Sequence, residues 1–389
     1  MKKILRYIKH FIFALLIILI VPYIISPVYD FKKPQVFSGK ELYNPYKEIE
    51  SRKCYKANFH AHSRAYLGLT SGSSSPDDSI VSIYKRIGYD IPSISDYMRI
   101  NRVSESSEGY VPVYEHGYGI WKNHYLVIGA KEIKLTDFVL YQFNSNQQFI
   151  INRLKTDDNI VAIVHPGLRY AVTKEDLVTL SNYDCLEIFR HDREYLEHLD
   201  YALSAGRDIK ILANDDCHNI YDFHEVGNGL NIINSKSLNY KDIAEAIKSG
   251  NNIGVSLKEC NFNTFELKEK NIRSLPKLLS FDVRNDSIKF SFDKPAAEIK
   301  FIGQNGTVKK TMKDTASTYY TFRKEDTYIR TEIIFPDKIK YELNPVFRYD
   351  KENKTNNSPE ISIPKSASFY VLWLGVITSA IYMRYRRRK

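Results

Sequence analysis

The sequence predicts an α/β fold: a barrel-like body of alternating strands and helices, then a small all-β, sandwich-like domain, with an apolar helix at each end. Three observations predict it. Between residues 56 and 248, short hydrophobic runs alternate with stretches of helical period. That is the pattern of a parallel sheet, and the number of repeats favours a barrel over an open sheet. Past Ile253 the period drops to two and Asn305-Gly306 supplies a hairpin turn, as in a β-sandwich. At the ends, residues 11–25 and 369–383 are apolar runs beside basic clusters, and about 20 apolar residues suffice to cross a bilayer.

The chain has 389 residues and a formal net charge of +10. Nearly all of that charge sits at the ends, on Lys2, Lys3, Arg6 and Lys9 and on Arg384, Arg386, Arg387, Arg388 and Lys389. The body is close to neutral, which argues against the basic surface of a nucleic-acid binder, and no nucleic-acid partner is expected. The positive-inside rule places both termini in the cytoplasm and the body on the extracytoplasmic or periplasmic side of a membrane. No small-x-small cleavage site follows the first run and Pro22 interrupts it, so it reads as a retained anchor. The expected organisation is a basic tail and anchor (1–29), a polar linker (30–53), the barrel (54–256), a β-rich domain (257–350), a second linker (351–365) and a second anchor with its basic tail (366–389). Cys54, Cys185, Cys217 and Cys260 are too scattered for a disulfide framework and form no CxxC pair for a zinc-thiolate finger.

Taken in order, residues 56–62 read as a strand. Ser75-Pro76-Asp77-Asp78 offers an N-cap, a proline at the first helical position and acids in the first turn, ahead of helical spacing over 79–89. Strand-like runs follow at 89–97, 124–133, 138–143, 159–167, 184–190, 209–217 and 229–234. Helical patterns lie at 147–155, 174–180, 194–205 and 241–248, with Gly206 and Gly250 as stops for the last two. In the β-rich part, 287–292, 297–303, 327–335 and 338–347 alternate with period two.

His60 and His62 stand two apart on an extended segment, so their imidazoles project from one face and can share a metal. Asp216 and His218 repeat that spacing. Together with Asp96, Glu132, His165 and Glu187, these residues lie at or just beyond the C-terminal ends of expected strands, the rim where α/β barrels assemble their sites. Each alone has an ordinary reading as an exposed polar residue. Jointly, nitrogen and oxygen donors without thiolates suit Zn, Mn or Fe in a hydrolytic site.

The order His60-Ala-His62, Ser95-Asp96, Gly129-Ala-Lys-Glu132, His165-Pro166, Glu187 within LEIF, and Asp216-Cys-His218 resembles the PHP family, named for polymerase and histidinol phosphatase domains. The resemblance covers residues 54–256 and implies a distorted (β/α)7 barrel, a cluster of two or three divalent metal ions, and phosphoester hydrolysis. By position it implies His60, His62, Glu132, His165, Asp216 and His218 as metal ligands, with Glu187 among the candidates. Asp96 matches the acid of the second motif, as a ligand or a support for one. For such a reaction Arg64, Arg99 and Arg169, which follow the motif strands, are candidates for meeting charge on phosphoryl oxygens. His191 and His124 are further candidates, and Asp215 is placed to orient a ligand.

Two positions depart from the family pattern. Tyr97 stands where the second motif carries His, and Leu67 where a ligand Asp falls. They motivate two alternatives to a phosphoesterase. One is a degenerate binding or scaffolding module of the cell envelope with a reduced metal site; the other is a hydrolase of C–N or ester bonds in envelope material. The expected partners are the lipid bilayer at both termini and a phosphorylated or envelope-derived substrate. The β-rich part resembles the β-domain that follows some envelope PHP proteins, which suggests support or partner contact.

Overall fold

A computed structural model describes residues 2–47, 49, 53–70, 72, 74–260, 262–351 and 358–386. Parts of both expected linkers, and Arg387, Arg388 and Lys389 of the second basic tail, lie outside the described residues. Helix α1 (Lys2–Ile25) leads into two short strands, β1 (Tyr29–Asp30) and β2 (Glu41–Tyr43). Strand β3 (Lys53–Asn58) stops short of His60, so the His-x-His pair lies on the segment beyond it.

Helix α2 (Asp77–Ile87) buries Ile80, Tyr84 and Ile87 along one face. It ends on Gly88, whose φ of 105° lets its N–H turn back to the carbonyls of Lys85 and Tyr84. Asp77 and Asp78 occupy the first turn, but Pro76, not Ser75, takes the N-cap position. Ser75 is used elsewhere: its Oγ donates to the His218 carbonyl at 3.2 Å and accepts the Ile220 N–H at 2.9 Å, tying the start of α2 to the second histidine motif.

Strand β4 (Ile91–Pro92) pairs in parallel with β3 over two residues. Strands β5 (Val113–His116) and β6 (Tyr125–Ile128) follow, then α3 (Asn144–Leu154), β7 (Ile160–Ile163) and α4 (Lys174–Thr179). Next come β8 (Cys185–Phe189), α5 (Leu196–Ser204) and β9 (Lys210–Ala213). The expected strand at 138–143 is a loop. The buried Asp137 carboxylate accepts the N–H groups of Tyr118 and Gly119 and the amide of Gln142, and these side-chain bonds take the place of a ladder.

Strand β10 (Gly229–Ser235), helix α6 (Tyr240–Lys248) and strand β11 (Asn252–Ser256) are followed by α7 (Phe265–Arg273). The β-rich part holds β12 (Leu278–Arg284), β13 (Ser287–Gly303), β14 (Thr307–Thr321), β15 (Tyr328–Ile334) and β16 (Lys340–Tyr349). Strand β17 (Glu360–Ile361) pairs with β1 just before α8 (Ile363–Arg386). Residues 3–25 of α1 and all of α8 are long and apolar enough to cross a membrane. This rests on length and composition, a test that a signal sequence near an N-terminus also passes.

The fold is mixed α/β, and the expected barrel is not closed. The strands form a five-stranded sheet, β5-β6-β7-β8-β9, and a ten-stranded sheet along the path β12-β13-β15-β16-β11-β10-β3-β4, with β14 on β13 and β2 on β16. Among the described residues, isolated bridges from Ala61 to Cys217 and from Tyr97 to Glu115 span the gaps between them. Ladders fail there because the chain leaves the extended conformation, with φ of 50° at Met98 and 51° at Asp216. Nor are the sheets all parallel: β10 runs antiparallel to both β3 and β11, and β6 to both β5 and β7.

The β-rich part shares a sheet with the part before it. Strand β16 pairs antiparallel with β11, Ile253 opposite Leu343, so one sheet runs through both parts. Asn344 pins this seam: its amide donates to the carbonyls of Gly250 and Asn252, and its Oδ1 accepts the Ile211 N–H at 3.0 Å. The two strands expected at 287–292 and 297–303 are one 17-residue strand, β13, which shifts register between Ser291 and Ala296. Beneath the site, Leu126, Ile128, Ile160 and Ala162 of the smaller sheet meet Ile233 of the larger one and Ile243 and Ile247 of α6. Full burial of each such aliphatic side chain contributes about 1.5–3 kcal/mol, enough to hold the strand ends in place.

Candidate metal centre

The site forms at the two gaps between the sheets. The His62 N–H donates to the Cys217 carbonyl at 2.8 Å and the Cys217 N–H to the His60 carbonyl at 3.4 Å, which seats the two histidine motifs side by side. At the other gap the Met98 N–H donates to the Glu115 carbonyl at 2.8 Å, docking the segment after Asp96 on β5.

Glu115 is the hub. Its Oε1 lies 2.6 Å from His124 Nδ1 and 3.0 Å from His165 Nε2. Its Oε2 lies 3.1 Å from His62 Nε2 and 3.6 Å from His60 Nε2. Asp216 Oδ1 is 3.1 Å from Nε2 of both His60 and His62, and 3.7 Å from His218 Nδ1. All of these except His218 are buried. Their donors make four overlapping triads, each with its atoms within 4.8 Å of one another. His60-His62-Glu115 and Glu115-His124-His165 share Glu115, one through each oxygen, so its carboxylate could serve both groups.

A metal fits these residues. His60 Nε2 and Glu115 Oε2 face each other at 3.6 Å, both buried, and neither makes a well-aligned hydrogen bond, although each has an oppositely charged neighbour at 3.1 Å, Asp216 Oδ1 and His62 Nε2 respectively. An unsatisfied buried polar group costs about 1–3 kcal/mol, and a cation between the two would satisfy both. Imidazole and carboxylate donors suit Zn, Mn or Fe, and the nearby Cys217 packs in a hydrophobic cluster instead.

Charge is balanced inside the cluster. Burial pulls the His62 imidazole down, but the carboxylates of Asp216 and Glu115 beside it outweigh that and lift the pKa to about 9. His60 is likewise raised, against its burial, by Asp216, Glu187 and Glu115. Burial favours the neutral acids, yet His124 and His60 around Glu115, and His60 and His218 around Asp216, hold both carboxyls well below the usual range. His218 goes the other way, pulled by burial to about 4. The cluster thus sets anionic oxygens beside His60 and His62, whose protons a metal ion would displace.

A second layer fixes the donors. Glu187 Oε1 lies 2.9 Å from His60 Nδ1 and accepts the Asn214 amide at 3.0 Å, while its Oε2 accepts the His165 N–H at 2.9 Å. Glu187 therefore orients His60 through the ring nitrogen turned away from the cluster. Asp96 accepts the Ser63 N–H at 2.8 Å and the Asn101 amide at 3.1 Å, and so holds the segment after the first motif. Asp215 accepts N–H groups from Gly227, Asn228 and Gly229 and the Tyr84 hydroxyl, anchoring the backbone next to Asp216. His165 and Asp216 have φ of 31° and 51°, a strain of about 1–3 kcal/mol each that this surrounding layer sustains.

Other sequence candidates lie elsewhere. Glu132 is exposed and paired with Lys134: β6 ends at Ile128, and Gly129, at φ 80°, turns the chain out to the surface. Glu115, on a strand the sequence reading lacks, provides the carboxylate instead. Arg64 and Arg169 are exposed, Arg169 donating to the Ile120 carbonyl at 2.9 Å. Arg99 stands 3.8 Å from both Asp96 and Asp77. His191 Nδ1 sits 2.6 Å from the Asp215 carbonyl. The arginine that reaches the cluster is Arg190, whose Nε donates to Asp216 Oδ2 at 2.7 Å. Tyr97 stacks on His62 with ring centroids 4.4 Å apart and an interplanar angle of 22°. Leu67 is exposed, on a turn at φ 59°.

No protein-family model matches the chain, and no curated protein matches it. Among solved structures, it is similar to a two-domain protein from Bacteroides vulgatus described as containing a predicted PHP-like metal-dependent phosphoesterase, with a TM-score of 0.42 and 15% identity over 81% of this chain and 100% of that one. A second similar structure is PsfC from Pseudomonas syringae, at a TM-score of 0.34 and 11% identity over 50% of this chain and 88% of that one. Both likenesses are distant, and the functional reading rests on the side chains.

Proposed function

We propose that the chain is a membrane-anchored, metal-dependent hydrolase of phosphoesters, with its body on the extracytoplasmic side and residues 54–256 as its catalytic part. The observation that carries this reading is Glu115, which offers one oxygen to His124 and His165 and the other to His60 and His62. These residues would hold divalent ions, which would supply an activated water and meet charge on phosphoryl oxygens.

The chain's own residues do the rest. Glu187 and Asn214 keep His60 in one orientation, and Asp216 serves both histidines of the first motif from the opposite side. Arg190 neutralises the outer oxygen of Asp216 and keeps that carboxylate aimed at the cluster. Solvent exposure rises at His218, Arg190 and His191, which marks the open side where a substrate anion approaches.

The test is turnover of p-nitrophenyl phosphate and bis(p-nitrophenyl) phosphate by the full chain in detergent, with Mn or Zn added. His60→Ala is expected to abolish it while leaving the thermal transition in place. A second reading, a non-catalytic metal-binding module, is favoured by Tyr97 lying flat on His62. Bound metal without turnover of either compound would select it.

A further inference from the structure

The last turn of α1 touches the body through Tyr23. The Tyr23 hydroxyl donates to the Tyr141 carbonyl at 3.1 Å, and the Tyr23 ring meets Phe138 edge-on at 4.8 Å. Tyr23 lies two residues from the end of α1, about 3 Å along its axis, so this contact falls where an anchor helix leaves the hydrocarbon. From it runs a chain of exposed rings. Tyr141 packs edge-on against Trp121 at 5.8 Å and Phe143 at 5.1 Å. Phe143 is 65% exposed, Ile120 53% and Leu140 49%. Single exposed apolar residues are ordinary, but a contiguous aromatic and aliphatic patch rimmed by polar groups marks a contact surface. Trp and Tyr at the end of a spanning helix are the residues that settle at headgroup depth.

The same loop borders the metal centre. His124 follows Trp121 by three residues. Lys122 Nζ stands 5.4 Å from the ring of Tyr97, which stacks on His62. Arg169, four residues after His165, donates to the Ile120 carbonyl at 2.9 Å. The patch therefore runs from the end of α1 to segments that adjoin the centre.

We propose that Ile120, Trp121, Leu140, Tyr141 and Phe143 rest in the lipid–water interface of the bilayer that holds α1, so that the centre takes phosphoesters carried on lipid headgroups. The surface rests on α1 being an anchor; the substrate class rests on the hydrolase reading above. A soluble phosphoester has to diffuse to the centre, whereas a lipid-borne one is held in the plane the loop already occupies, which raises its effective concentration.

The chain holds two tryptophans, Trp121 and Trp373, so Trp373→Phe leaves Trp121 as the reporter. In full-length protein reconstituted into phosphatidylcholine vesicles, brominated acyl chains are expected to quench most of the Trp121 emission and aqueous iodide little of it. Strong iodide quenching with no effect of brominated lipid would overturn the surface, whatever the enzyme does. The substrate class is read with the triple variant Trp121→Ser, Tyr141→Ser, Phe143→Ser. Hydrolysis of phosphatidic acid in the vesicles is expected to fall about tenfold or more, with p-nitrophenyl phosphate turnover kept within about twofold. Equal effects on both, or hydrolysis of neither by the metal-loaded wild type, would overturn the substrate class; hydrolysis of neither would also remove the hydrolase reading, while the quenching result stands by itself.

Discussion

Glu187 touches the cluster only from behind, through His60 Nδ1 and the His165 N–H, and this makes it a sharp test of how the donors are held. Glu187→Gln is expected to weaken metal affinity about 10–100-fold, measured by competition with a chromogenic chelator, while circular dichroism stays unchanged. Glu132→Ala, at an exposed carboxylate paired with Lys134, is expected to change affinity by less than about twofold. The contrast between the two residues shows what is legible in a sequence. His60 and His62, and Asp216 and His218, announce themselves by their spacing of two, which needs no tertiary information. Glu115 does not: Val113–His116 is buried at every position, so it shows no alternation. Pro112 and Gly117 around a β-branched and aromatic run were the available strand signal. Arg190 closes the expected strand 184–190, but its partner Asp216 is 26 residues away and only the fold brings them together.

Among the elements, helices are the best read from sequence because their ends are chemical. Gly206 and Gly250, at φ of 72° and 75°, sit just past α5 and α6 as expected. Strand ends are harder, since β3 and β4 stop where the site begins. Strand β10 is positioned by Gly229, where a Cβ would lie 2.2 Å from the Asn214 carbonyl oxygen. Gly229→Ala is expected to destabilise the protein by about 2 kcal/mol or more in urea. It is also expected to weaken metal binding, because the Asn214 side chain supports Glu187 and accepts the Phe59 N–H.

Helix α7 adds a pH dependence. Burial lowers the pKa of Lys268 to about 8, against the pull of Asp215, while its ammonium donates to the Val226 carbonyl and Asn228 Oδ1. The unfolded chain keeps this proton up to about the ordinary lysine value of 10.5. Between these values the unfolded state binds more protons, so this group makes stability rise with pH. Relative to Lys268→Met, wild type is expected to gain about 1–3 kcal/mol between pH 8 and pH 10 in urea titrations. A constant difference across that range would contradict the assignment.

At the scale of the molecule, alternating strands and helices suggested a closed parallel barrel, and the chain forms two sheets bridged at the site. Neither the antiparallel entry of β10 nor the pairing of β11 with β16 leaves a local trace, because each depends on partners far apart in sequence. The β-rich part is also locked to α5 through Arg330, which contacts Asp200 at 2.7 Å and Glu342 at 3.1 Å, all buried. Arg330→Met removes the cation from the buried Asp200 carboxylate and from Glu342, whose carboxyl burial already pushes up to about 8, and is expected to cost about 3–5 kcal/mol in global stability. The measurement that bears most directly on the centre is elemental analysis of the full chain, purified without chelator, beside Glu115→Gln. Two divalent ions per wild-type chain, falling to one or none in a folded Glu115→Gln protein, is the predicted result. One ion or none in folded wild type, or two ions retained without the Glu115 carboxylate, would contradict a centre bridged by Glu115.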